Sequence, residues 1–540
     1  MIPDYPLLRL FEFGPDDYLV YDARPHFAFI LAKGDWPVFK ACLETGDKAV
    51  AAGLNPKIGR NRIDSIFRHY EKMVERGVLL KRGLKKLCRD ERKEVENNLD
   101  YFFDQVLMRK FILEVTEECN FRCSYCFNSM ESNFRRHRRV HMSFETARTA
   151  IDFYKRLYLS IYTKLSETDR ALLLREFPPH IGFYGGEPML NFNVMRRAAD
   201  YFKTMDWGIS EINRAAGTVT VNTNLSLMND EILDFLVSHD IMLFASLDGV
   251  REDHDRNRVT ADGRGTFDLA YDNLVKIQKF NQDYFARQVT VFAVEAVGSD
   301  KPANMAFFKT LGCPFFFFSQ SHHDCFIAEP EAGRRHLEAN AESDIENKIS
   351  LLADPAGWRD NIPEFQDIFF FDRIATDNPY GADLCDRLIS CPMGVDNMMI
   401  GVDGSLHICH KTDNSRPFGN VHSGLDREAL IQLYIDYAKA LNSQDCPNCW
   451  AHNFCSVCGA TRLKKGVFAN PRTAECDYLR SQVAVNFRLF IELYRRHPDK
   501  LDEIFEYKRD LNLYKGVVYI EKLRPDWPST TQALEDQKCG

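Results

Sequence analysis

Apolar and polar positions divide the chain into stretches with different periods. Near the N-terminus, "LLRLFEF", "DYLVYD" and "HFAFIL" are short runs separated by turn signals such as Gly14-Pro15-Asp16-Asp17, and they predict strands. Ile63, Ile66, Phe67, Tyr70, Met73 and Val74 then recur at helical spacing, with Gly77 as the stop. "VLLKRG" follows as a strand or wing. Strands followed by helices in so short a stretch predict a small winged-helix-like module over residues 1–90. The charged run "KRGLKKLCRDERKEVENN" reads as a solvated helix face leading through a linker, 91–110.

From residue 111 strands and helices alternate. "FILEVTE", "HIGFYGG", "TVTVNTN", "IMLFASLDG", "VTVFAVEA" and "CPFFFFSQ" predict strands, with helices near 143–158, 191–206, 229–238, 266–281 and 301–310. Serial β-α pairs predict an α/β fold with a parallel sheet, right-handed connections and a partial barrel over 111–323. Chemistry in such folds gathers at the C-terminal ends of the strands. Residues 324–384 read as a helical insertion or bridge, 385–480 as a cysteine-rich domain, and 481–540 as the end of a long helix (about 477–497) and a disordered tail.

Composition narrows the function. The 540 residues carry a net charge of −9, which argues against a nucleic-acid or anionic-membrane partner. The N-terminus lacks the pattern of a signal peptide, and no apolar run approaches the ~18 residues of a membrane span. A cytoplasmic location follows as an expectation, and there thiols stay reduced. Sixteen cysteines then point to metal or redox chemistry rather than disulfides. Three fall within eight residues, "CNFRCSYC", just after the first predicted barrel strand. Four thiolates saturate a [4Fe–4S] cluster; three leave one iron open to a ligand, and a lone zinc in a structural site wants four donors.

Cys119-x3-Cys123-x2-Cys126, with Tyr125 before the last thiol, resembles the signature of the radical S-adenosylmethionine (SAM) superfamily. The resemblance continues through "YGGEP" (Tyr184–Pro188), "NTN" around Asn224, "SLDG" (Ser246–Gly249) and "HDRNR" (His254–Arg258). It implies one [4Fe–4S] cluster and SAM. The SAM-binding positions it implies are Tyr125, Gly185, Gly186, Glu187, Asn224, Ser246, Asp248 and Arg258, with Arg256 competing for the last place. It also implies reductive cleavage of SAM to a 5′-deoxyadenosyl radical that abstracts hydrogen, fed by an external one-electron reductant of flavodoxin or ferredoxin type. The catalytic acid and base stay unassigned.

The second cysteine field reads Cys385-x5-Cys391, then Gly404-x4-Cys409, then "CPNCWAHNFCSVC", then Cys476. C-x2-C pairs also occur in zinc ribbons, so a non-catalytic zinc-ribbon binding protein is the alternative of a different class. The order resembles the SPASM domain of peptide-modifying radical SAM enzymes. That resemblance implies two auxiliary [4Fe–4S] clusters, one on Cys385, Cys391, Cys409 and Cys458 and one on Cys446, Cys449, Cys455 and Cys476. The N-terminal module resembles the leader-binding element of maturases of ribosomally made peptides, and "C-H" at Cys409-His410 resembles the thioether-forming branch. The expected function is maturation of a precursor peptide held by its leader, with a cysteine thioether as the cross-link. C–C cross-linking and formylglycine formation are the alternatives. The basic run Arg135–Arg139 reads as a solvated loop or as a steering patch for an acidic peptide.

Overall fold

The computed structural model describes residues 8–23, 27–54, 56–75, 92–93, 95–97, 99, 110–126, 128, 137–215, 217–296, 298–313, 315–320, 330–352, 394–395, 397–441, 446, 449–455, 457 and 462–505. The expected wing at "VLLKRG", the C-terminal tail, Arg135, Arg136, Cys385, Cys391 and Cys458 lie outside these residues.

Strands β1 (Leu8–Glu12), β2 (Asp17–Asp22) and β3 (Phe27–Ala32) form an antiparallel meander in the order β1-β2-β3. Three helices follow it: Trp36–Thr45, Lys48–Leu54 and Arg60–Glu75. The first two were not read from the pattern, although Pro37 sits in the first turn of Trp36–Thr45 and Gly46 closes it in a left-handed conformation. One face of the sheet supplies Val20, Phe29 and Leu31 to a core shared with these helices. The other face supplies Phe11, Phe13, Leu19, Tyr21 and Ile30 to a second core with Trp450 and the helix Thr473–Arg496. Phe487 of that helix stacks on Phe11 at 4.2 Å and meets Tyr21, Phe454 and Trp450. The helix Pro330–Leu351, from the expected insertion, adds Ile345 and Ile349 to the same core.

The main sheet is α/β and mostly parallel. β4 (Lys110–Thr116), β5 (His180–Gly185), β6 (Thr218–Thr223), β7 (Met242–Ser246), β8 (Val289–Glu295) and β9 (Phe315–Gln320) lie side by side in chain order. Helices fall at all five expected places. Side chains alternate along the strands. Phe111, Leu113, Ile181, Val221, Leu243 and Val291 are at most 1% exposed, facing the helices. Tyr184, Asn222, Phe244, Ser246, Phe292 and Val294, on the opposite face, are partly exposed.

Two findings go beyond what the hydropathy pattern predicts. The cysteine-rich segment adds β10 (Asn397–Ile400), parallel to β4 with Met399 beside Ile112, and β11 (Leu406–His407), antiparallel to β10. The sheet therefore has eight strands, in the order β11-β10-β4-β5-β6-β7-β8-β9, and the described strands of the cysteine-rich segment extend it past β4. Of the charged stretch before residue 110, the described residues 92–93, 95–97 and 99 are not all solvated. Val95 and Leu99 are buried in the barrel core, and Arg92 pairs with Glu428 at 2.6 Å. Their apolar content is sparse among the charges, which is why the pattern hides them.

His180 lies at the start of β5 with Nδ1 2.8 Å from Thr218 Oγ1. Burial, aided by the charge of Lys110, pushes its pKa down from 6.5 to about 4. Between those values the unfolded chain binds a proton that the folded chain refuses, so this residue makes stability rise with pH across the window. H180Q is expected to flatten that part of a stability–pH profile followed by urea denaturation. F487A is expected to cost about 3–5 kcal/mol, because it empties the centre of an aromatic cluster. The check is denaturant unfolding, together with faster proteolysis of the N-terminal module.

Candidate functional site

β4 ends at Thr116, and the chain turns through Glu117 and Glu118 into Cys119. The thiol loop is fastened from below. Arg122 N–H donates to Val259 O at 2.7 Å, Ser124 N–H to Asn257 O at 2.9 Å, and Ser124 Oγ to Asn257 Oδ1 at 2.7 Å. Phe121 N–H points at Cys119 Sγ, 3.4 Å away. Glu117 takes Arg138 in a two-pronged pair, and Glu118 faces Arg139 and His141, each at 3.3 Å. The described part of the basic run is thus partly neutralised beside the loop.

The end of β5 lies against the same loop. Gly186 N–H donates to Thr116 O at 2.9 Å and Glu187 N–H to Glu118 O at 2.8 Å. A Cβ on Gly185, at φ +140°, would lie 2.1 Å from Thr116 O, and one on Gly186 would lie 2.1 Å from Glu118 O. The glycine pair is therefore a requirement of backbone packing. The Glu187 carboxylate turns inward and accepts from Met189 N, Thr223 Oγ1 and Asn224 N at 3.1, 2.8 and 2.7 Å. These donors take three of about four acceptor positions of a carboxylate. Burial raises its pKa to about 7, against the pull of those donors and of Arg258. Asn224 donates to Asn120 Oδ1 at 2.9 Å, which ties the end of β6 to the thiol loop.

Asp248, just past β7, is the centre of a second knot. It accepts from Val294 N at 3.0 Å and from the Tyr125 hydroxyl. Arg258 Nε lies 2.9 Å from Asp248 Oδ2, an ion pair with both side chains buried. The Arg258 guanidinium also sits 5.4 Å from the Tyr125 ring centre. Burial works against its charge, but Asp248 and Tyr125 more than compensate and hold it protonated. Arg256 points elsewhere, to Asp253 at 2.9 Å and Gly298 O at 3.2 Å, and is half-exposed. Ser246 is the last residue of β7, on the partly exposed face. The structure thus brings Tyr125, Gly185, Gly186, Glu187, Asn224, Ser246, Asp248 and Arg258 to one end of the sheet, and all but Ser246 are tied to the thiol loop or to the turn that leads into it.

Burial pushes the Cys119 and Cys123 thiols up to about 12. A thiolate here needs a cation beside it, and bound iron supplies one. No group of three or more His, Cys, Asp or Glu among the described residues is arranged around a single ion. Cys119, Cys123 and Cys126 nevertheless lie on one loop of eight residues, with Cys126 N–H donating to Cys123 O at 3.1 Å. Three partly exposed sulfur donors on one short loop fit an iron–sulfur cluster, which needs its open iron accessible to a ligand.

The second field sits close by. Gly404, at φ +84°, makes the tight turn between β10 and β11, and Cys409 follows. Asn397 Nδ2 and Lys411 N–H lie 3.3 and 3.4 Å from Cys409 Sγ. The His410 ring meets Tyr184 of "YGGEP" edge-on at 4.8 Å, a contact between the two fields that no sequence signal announces. Cys476, in the first turn of Thr473–Arg496, is pushed up to about 11 by burial and feels Cys455, Cys446 and Cys449. Its neighbour Glu475 is clamped by Arg462 and Arg472, each at 2.8 Å. Substituting Gly186→Ala is expected to force the thiol loop away and to lower bound iron by about four atoms per chain, one [4Fe–4S] cluster. Iron assay of anaerobically purified protein checks this.

Residues 113–294 match the family described as the radical SAM superfamily. An uncharacterized protein of Methanocaldococcus jannaschii is 31% identical over 143 residues, 26% of this chain and 40% of that protein. The radical SAM cyclopropyl synthase TigE of Paramaledivibacter caminithermalis is 24% identical over 428 residues, 74% of this chain and 75% of that enzyme. A cysteine-type anaerobic sulfatase-maturating enzyme of Clostridium novyi is 23% identical over 175 residues, 32% of this chain and 41% of that one. The chain thus spans less than half the length of the first and third of these relatives. The stretch that matches the radical SAM superfamily, residues 113–294, is the one whose parallel strands gather Cys119, Cys123 and Cys126 at their ends, and the protein is an enzyme.

Proposed function

We propose that the protein is a peptide maturase, which takes hydrogen from a ribosomally made precursor and closes a cross-link, with a cysteine thioether as the product. The superfamily's chemistry, supplied when the [4Fe–4S] cluster and SAM are bound, is a carbon radical able to abstract hydrogen. The chain's own residues would do the rest. Cys119, Cys123 and Cys126 would hold the cluster and leave one iron open. The backbone at Gly185–Gly186 and the remaining acceptor position of Glu187 would meet an ammonium. Ser246 and Asp248 would face the ribose, and Arg258 a carboxylate. The partly exposed face of the sheet would receive the substrate.

One observation carries the peptide-maturase reading. The cysteine-rich segment is joined to the barrel through β10 on β4, and it sets Cys409-His410 against Tyr184, beside the SAM positions. A hydrogen-abstracted substrate must lose one electron when a new bond closes, and thiol-held clusters beside the site would accept it. We assign one such cluster to Cys385, Cys391, Cys409 and Cys458 and another to Cys446, Cys449, Cys455 and Cys476. The N-terminal module would hold the leader by strand addition at a sheet edge, and a small one-electron carrier would reduce the first cluster. The relative that matures sulfatases supports a protein or peptide substrate in general; the choice of a thioether rests on the His410 position alone.

The test is anaerobic co-expression with a peptide encoded beside the gene, followed by thiol alkylation and tandem mass spectrometry. The expected product lacks two hydrogens per event and has cysteines that no longer alkylate, even after disulfide reduction. The same mass loss with thiols that still alkylate would replace the thioether by a link between other atoms. An intact peptide would remove the maturase reading for that substrate.

A further inference from the structure

The helix Thr473–Arg496 places Arg480 one turn after Cys476, on the same face. Its Nη1 lies 3.9 Å from Cys449 Sγ, and its Nη2 is anchored on Asp477 Oδ1 at 2.6 Å. The guanidinium thus joins the helix that carries Cys476 to a second cysteine, Cys449. Asp477 is exposed and gives back part of its charge to water. Glu475 is held by Arg462 and Arg472, and Arg9 lies 5.3 Å over the Trp450 ring. Cys449 itself packs against the aromatic core formed by Phe11, Trp450 and Phe487 of the N-terminal sheet and the long helix. That apolar wall keeps water from one side, so a fixed positive charge acts there at less than the dielectric of bulk solvent.

We propose that Arg480 sets the reduction potential of the iron–sulfur cluster held by Cys446, Cys449, Cys455 and Cys476, raising it so that this cluster is a ready electron acceptor. The inference rests on the proposed assignment of a cluster to these four cysteines. The reason is electrostatic. Reduction adds one negative charge to the thiolate-ligated cluster, and a guanidinium donating to a ligand sulfur stabilises the reduced form more than the oxidised one. The electron is the one released when a carbon radical on the substrate bonds to a sulfur or other atom. The substrate is oxidised by one electron, one proton leaves to solvent, and the cluster is reduced by one. Arg480 takes no part in bond making and acts through the cluster.

The experiment uses the full-length holoprotein, reconstituted without oxygen, with iron per chain measured and a potentiometric titration followed by electron paramagnetic resonance. The pair C446A/C449A identifies the signal. It is expected to lose about four irons and one titration wave; unchanged iron there would overturn the cluster assignment itself, separately from the role of Arg480. In R480Q the same wave is expected at lower potential with iron intact, by about tenfold in the reduction equilibrium, or about 59 mV for one electron. R480K keeps the charge without the fork and is expected to shift less. A wave that stays in place in R480Q with full iron overturns the proposal. Loss of that cluster's iron in both Arg480 variants also overturns it, making the residue a clamp on the loop.

Discussion

The site depends on one close approach of backbones. The end of β5 lies so near the turn after β4 that neither Gly185 nor Gly186 has room for a side chain, and two backbone hydrogen bonds seal the contact. Everything around the thiols follows from it. Cys119 begins where Glu118 O receives Glu187 N–H, and the Glu187 carboxylate then reaches the end of β6. A wider gap would separate the cysteine loop from three strand ends at once.

Buried charge is handled alike in both cysteine fields. Asp248 is surrounded by Tyr125, Arg258 and a backbone N–H beside the first thiol loop, and Glu475 is surrounded by Arg462 and Arg472 beside Cys476. Such pairs add little net stability, since desolvation offsets much of the attraction, but losing one partner strands the other charge. Their value here is positional. Each one lies beside a segment that carries thiols and ties it to a neighbouring element.

The N-terminal sheet is held on both faces, by its own helices and by the helix that carries Cys476. Trp450, next to Cys449, is part of the second interface. The module that we propose grips the peptide therefore rests directly on one thiol group, while the other, through His410 and Tyr184, touches the barrel.

The sequence by itself determined the strands and helices of the barrel, because apolar runs bounded by Gly, Asn and Asp are local signals, and all six strands and five of the expected helices lie where the pattern puts them. It also determined the inventory of chemistry, since Cys119, Cys123, Cys126 and the strand-end motifs are contiguous in the chain. Only the tertiary structure decided how distant pieces meet. β10 on β4, His410 on Tyr184, Arg258 rather than Arg256 at Asp248, and Arg480 at Cys449 are contacts between residues that local periodicity does not connect. The short strands β10 and β11 carry too few residues to show a period, and Val95 and Leu99 are lost among charges. Their places follow from what the sheet edge and the core leave to be covered, and that is a property of the assembled fold.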